Sequence, residues 1–244
     1  CCYDDDREIF AWMRAGAPAG RRCLEAQLMD FCDDVGYSVH DVEDAIALGR
    51  MDPARLGEDQ EIDSVIEDTC AWYGADPGRE ALGAAWERLA AQTSWITSYN
   101  GAPADAASLK NLTSQLIGRF VSAVAAATRE VFGTGPLTRY DADLVIPADT
   151  AAEILLLKGA AVHYVMAPRE HEPVYLRQRT ELFDLADLLL SSRGEHLEPI
   201  FAAAWHRADD DAGRTRAVVD QIASLTDTSA RAWHARLCGL LSEV

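Results

Sequence analysis

From Leu24 to Ile46 the apolar residues Leu24, Leu28, Phe31, Val35, Val39, Val42 and Ile46 recur every three or four positions. At about 100° per residue this spacing gathers them on one side of an α-helix, whereas strand side chains alternate with period two. The same texture runs through the chain. Ala, Leu, Arg and Glu are abundant, period-two alternation is absent, and turn signals come at wide intervals. The pattern predicts an all-α protein with helices at about 4–15, 24–49, 60–74, 77–92, 105–132, 149–167, 173–192, 195–209, 211–224 and 226–242. Asp76-Pro77 and Pro147-Ala148-Asp149 look like helix starts, and Thr226 looks like a cap for the last helix. Leu137–Ile146 reads as a short extended piece after the break at Gly133-Thr134-Gly135-Pro136. A chain of 244 residues can bury a core without disulfides. The expectation is one helical domain over 1–244, in which 137–244 forms a C-terminal region following 1–132.

The net charge of −18 is uneven: residues 1–100 hold 21 acidic and 8 basic side chains, against 19 and 14 in the remainder. Such a chain is a poor nonspecific binder of nucleic acid or anionic membrane. A phosphorylated ligand would need local cations or a metal ion. Lys110 and Lys158 are the only lysines. The cysteines at 1, 2, 23, 32, 70 and 238 form no C-x-x-C pair, consistent with reduced thiols in the cytoplasm. Cys32 is expected to pack toward the apolar side of its helix. Trp72, Trp86, Trp95 and Trp205 are expected in the core. No apolar run approaches the ~20 residues of a membrane span. The start at Cys1, without methionine, reads as the boundary of an internal fragment.

The polar side of the 24–49 helix is the chemical feature. Asp33, Tyr37, Asp41 and Asp44 fall within roughly 80° of one another, with His40 beside them. Two readings stand. The acids simply face water, or Asp33 ligates a cation while Tyr37 and Asp41 hold a hydroxyl-rich ligand. Carboxylates suit Mg²⁺ or Mn²⁺, and an imidazole shifts preference toward Mn, Fe, Ni or Zn. Like charges at i and i+4 repel, and a bound cation relieves that repulsion. His40-Asp41 alone is a weak metal doublet, because adjacent helical residues diverge. Arg119, Arg216, Glu153 and Lys158 read as salt-bridge partners between packed helices. His163, His171, His196, His206 and His234 read as structural or exposed.

The run from Met29 to Asp44 resembles the last motif of the deoxyguanosinetriphosphate triphosphohydrolase-like proteins, within the HD superfamily of metal-dependent phosphohydrolases. Leu109–Phe120 and Arg216–Asp227 resemble further helices of that family, in the same order. The resemblance implies an all-α, multi-helical HD-domain-like bundle that hydrolyses a deoxynucleoside triphosphate, dGTP-like, to the deoxynucleoside and inorganic triphosphate. It implies a divalent metal, Mg²⁺ or Mn²⁺ first and Fe, Ni or Zn next, that activates a bound water. Asp33 matches the final metal ligand; Tyr37 and Asp41 match positions that hold the 3′-hydroxyl. His40 then becomes a neighbour that orients a water or phosphate. A homo-oligomer is implied as well. The His and His-Asp pair that the family places upstream are absent, since residues 1–32 contain no histidine. On this reading the chain is a C-terminal portion holding one of four ligands, or a degenerate relative that senses nucleotides without cleaving them. Outside the family, a helical interaction domain remains the alternative. Asn100-Gly101-Ala102-Pro103 departs from the family pattern, and no role is carried over there.

Overall fold

The computed structural model describes residues 2–74, 76–166 and 172–239. Among these the chain is helical, with no strand. The helices are α1 (Arg7–Met13), α2 (Leu24–Ala47), α3 (Asp59–Tyr73), α4 (Arg79–Ala90), α5 (Pro103–Phe132), α6 (Ala148–Ala161), α7 (Glu172–Ser191), α8 (Pro199–Arg207), α9 (Asp211–Ala223) and α10 (Asp227–Leu237). The chain divides into two compact units, residues 1–168 and 169–244.

In the first unit α6 is the central rod, packed against α2, α3, α4 and α5. Its sequence fits that position, being apolar nearly all round and burying Ala152, Ile154, Leu156, Leu157, Gly159, Ala160 and Ala161. Phe31, Val35, Val39, Val42 and Ile46 of α2 join Leu112, Leu116 and Phe120 of α5 in the same core. One charge is buried in the rod. Glu153, 1% exposed, accepts from Arg88 Nε of α4 at 2.7 Å and from Arg119 Nε and Nη2 of α5 at 2.9 Å each. Burial pushes its carboxyl up, but the bonds and charges of the two guanidiniums outweigh this and hold it below the usual range. The expected salt-bridge role of Arg119 and Glu153 is thus what the packing uses.

Gly159 of α6 sits where the rod crosses α3. A Cβ there would lie 1.7 Å from Thr69 Oγ1 and 2.7 Å from Thr69 Cβ. Thr69 is fully buried, and its hydroxyl donates to the Val65 carbonyl at 2.6 Å. Only glycine lets the two helices meet at this point.

Several expectations need correction. Asp76 does not cap α4, because the helix starts at Arg79 behind Gly78, whose φ of 95° breaks the helical path. The short extended piece expected over Leu137–Ile146 is not part of a strand, and two of its amides donate to side chains. Thr128 Oγ1 accepts from Val145 N, and Gln27 Oε1 accepts from Leu144 N. Trp72 is 59% exposed, whereas Trp86 and Trp95 meet edge to face at 5.3 Å against the core. In the second unit Leu189, Leu197, Trp205, Ala217 and Val218 form the core. Thr226 caps α10 as expected, accepting from Ser229 N, and α10 ends at Leu237. The last part of the expected helix, residues 240–242, lies outside the described residues, as does His171.

Candidate functional site

Helix α2 is pinned at its start. The Leu24 amide donates to the Arg139 carbonyl at 2.7 Å, and Glu25 accepts from Arg139 N at 3.0 Å. Gln27 Nε2 donates to Asp143 at 2.9 Å. With the apolar side buried, the side chains about 180° away must point outward. Asp33, Tyr37 and His40 do so, with Tyr37 64% exposed. Together with Cys32 and Gly36 they line a shallow depression of about 300 Å³. Cys32 was expected to pack inward; it is exposed and faces this depression, because one residue's rotation from Phe31 carries it past the buried edge.

Asp41 stands on the same helix, partly buried and outside the lining of the depression. Burial raises its pKa first, the Asp44 charge adds to the rise, and His40 opposes it. The structure therefore brings Asp33 and Tyr37 to one opening, with Asp41 one turn beyond Tyr37.

Beside this face lies a group that sequence reasoning missed. Glu43, only 6% exposed, accepts from Thr113 Oγ1 of α5 at 2.8 Å and pairs with Lys110 of α5. His40 Nδ1 lies 3.2 Å from the same carboxylate. Burial raises the Glu43 carboxyl, but the hydrogen bonds from Lys110 and Thr113 and the charges of Lys110 and His40 bring it below its ordinary value. On the other flank Lys158 of α6 donates to Asp34 at 2.8 Å and sits 5.5 Å over the Tyr73 ring. Both lysines of the chain thus end on acids of the Asp33–Asp44 segment. Their scarcity in an arginine-dominated chain was the one signal that singled them out.

The donor set bears directly on a metal. Among the described residues no three His, Cys, Asp or Glu side chains are grouped to hold an ion. Asp33 offers one carboxylate, so these residues do not by themselves fit a divalent cation. Two of the other histidines pair with acids. His163 Nδ1 meets Asp68 at 2.6 Å, and His234 Nε2 meets Asp184 at 3.0 Å. Arg216 bonds Asp220 within α9, as a helix-surface pair. No helix of the described residues is long and apolar enough to cross a membrane.

Residues 144–236 match the phosphohydrolase-associated domain. The chain is 46% identical over 241 residues to a deoxyguanosinetriphosphate triphosphohydrolase-like protein of Bifidobacterium longum, covering 98% of this chain and 51% of that protein. The namesake of Streptomyces coelicolor is 49% identical over 238 residues, with 97% and 56% covered. That of Corynebacterium diphtheriae is 38% identical over 229 residues, with 93% and 54% covered. The helical chain thus carries, over residues 144–236, a segment similar to a domain found with phosphohydrolases. More narrowly, the chain is similar over nearly its whole length to deoxyguanosinetriphosphate triphosphohydrolase-like proteins. It spans about half the length of the curated relatives it matches.

Proposed function

We propose that this chain forms part of a metal-dependent triphosphohydrolase that converts a dGTP-like deoxynucleoside triphosphate to the deoxynucleoside and inorganic triphosphate. Asp33 gives one carboxylate to the cation, with Mg²⁺ or Mn²⁺ favoured over Fe, Ni or Zn because the donor is a hard oxygen. The remaining ligands come from outside the described residues. Tyr37 and Asp41 hold the 3′-hydroxyl, Tyr37 by its phenol and Asp41 by its carboxylate. The observation that carries this reading is the exposed Tyr37 ring beside Asp33 in one depression, with the less exposed Asp41 a turn further on. An aromatic side chain that contributes little to packing is available to wall a sugar. The relatives' shared name points the same way. Assembly as a homo-oligomer and a cytoplasmic site of action belong to the same proposal.

One observation favours a second reading, a nucleotide-binding module that does not hydrolyse: the described residues group no further ligand around Asp33. Triphosphate release from dGTP by the full-length protein with Mn²⁺, compared with its Asp33→Ala variant, separates the two. Loss of release in the variant supports the enzyme. Equal release from both sinks the assignment of Asp33. Nucleotide binding without any release leaves the module. If Asp33→Ala and Tyr37→Phe change neither metal nor nucleotide binding, the acidic face is merely solvated.

A further inference from the structure

The buried Glu43 carboxylate is a costly feature that the proposed function does not use. A carboxylate removed from water must be compensated, and here the compensation comes from Thr113, Lys110 and His40, the last two remaining largely in solvent. The side chain of Lys110 is 70% exposed and that of His40 is 56% exposed. This arrangement hides the carboxylate at the α2–α5 junction and leaves the Lys110 ammonium and the His40 imidazole outside. His40 lines the depression with Asp33 and Tyr37, so one of the two partners already belongs to that opening.

We propose that His40 and Lys110 form a phosphoryl-binding edge of the Asp33–Tyr37 depression, with Glu43 as the positioning residue that holds both. The proposal rests on the function proposed above and assigns the end of the substrate that this edge meets. An ammonium has three donors, and the bond to Glu43 occupies one, leaving two for phosphate oxygens. Anchoring lowers the freedom lost by a long lysine side chain on binding. The edge also resolves an electrostatic difficulty. Asp33, Asp34, Asp41 and Asp44 would repel a polyphosphate, and Lys110 supplies local positive charge, with the His40 imidazole as a hydrogen-bonding group beside it, in a chain of net charge −18. Lys158, the other lysine, is 29% exposed, pairs with the solvent-facing Asp34 and covers Tyr73. It serves as the control.

Calorimetry on the full-length protein with two probes, inorganic triphosphate and deoxyguanosine, tests the assignment. Lys110→Gln and His40→Gln are each expected to weaken triphosphate by about tenfold, as for loss of one charge-assisted contact at a solvent-exposed site, with deoxyguanosine within about twofold. Glu43→Gln should weaken triphosphate in the same way, and combining it with Lys110→Gln should add little, the mark of residues acting as a unit. Lys158→Gln should change neither probe. Lys110 is a surface residue, so its variant reports on the edge even where Glu43→Gln fails to fold. Triphosphate affinity within twofold in both Lys110→Gln and His40→Gln overturns the edge. So does equal weakening of both probes. Asp41→Asn tests the underlying reading separately, because its loss should fall on deoxyguanosine. A wild-type protein that binds neither probe overturns both.

Discussion

Replacing Gly159 by alanine places two opposing effects of known size at one position. In an open helix the change stabilises by about 1 kcal/mol, because glycine is the poorer helix former. At the α3–α6 crossing the new methyl would stand 1.7 Å from Thr69 Oγ1, 2.7 Å from its Cβ and 2.9 Å from its Cγ2. Rotating the threonine side chain relieves the first contact and leaves the second, because a Cβ does not move with χ1. The helices must then part by roughly 1 Å to restore ordinary contact distances. Core overpacking of this kind costs about 1–3 kcal/mol and sometimes more, and the hydrogen bond from Thr69 to Val65 is disturbed as well. The upper part of that range wins over the propensity gain, for a net loss of about 1–2 kcal/mol. For a protein of this size that lowers the melting temperature by about 2–8 °C. Thermal melts of wild type, Gly159→Ala and Gly159→Ala/Thr69→Ala provide the assay. The double variant should recover part of the difference, since it removes the Oγ1 and Cγ2 contacts. A single variant as stable as wild type would refute the argument that this crossing requires glycine.

Two further outcomes follow from the buried carboxylates. Arg119→Ala should cost about 2 kcal/mol in urea titrations, because Glu153 keeps Arg88 but loses its two-pronged partner; no change would mean that Arg88 alone satisfies it. The pH dependence carries opposite signs at neighbouring positions. Glu43 and Glu153 are held below the ordinary glutamate value, so their contribution is present above pH ~4.5 and lost as pH falls. Asp41 is raised, so folding favours its protonated form and its contribution fades as pH climbs through the aspartate range. Chemical denaturation at pH 7 and near pH 4 should therefore show a smaller acid loss for Glu43→Gln than for wild type. For Asp41→Asn it should show a steeper one, and the reverse order contradicts the assigned causes.

The helices were legible because their apolar residues repeat at helical spacing over long windows, and that pattern belongs to each segment alone. The Asp33–Tyr37 face was legible for the same reason, since one helix carries both residues. What escaped depended on partners elsewhere in the chain. Glu43 reads as another exposed acid until α5 brings Thr113 against it, 70 residues away in sequence. The need for glycine at 159 rests on Thr69, a residue far away in sequence. Leu137–Ile146 has strand-like composition, but composition does not reveal that Gln27 and Thr128 take its hydrogen bonds. Cys32 was misplaced by a single step of helix rotation, an error of the size that sequence periodicity cannot resolve.

The position of α6 also bears on what counts as a heritable unit in this chain. The match to the phosphohydrolase-associated domain begins at residue 144, whereas the compact units divide after residue 168. The segment between contains α6, so the stretch that recurs across proteins carries the spine of the first unit along with the second. A gene fragment cut at residue 144 would strip Leu82, Leu89, Leu116 and Phe120 of their common neighbour and leave Arg88 and Arg119 without Glu153. Recombination between relatives is therefore expected to survive at a join near 168 and to fail at the border that sequence similarity alone would suggest.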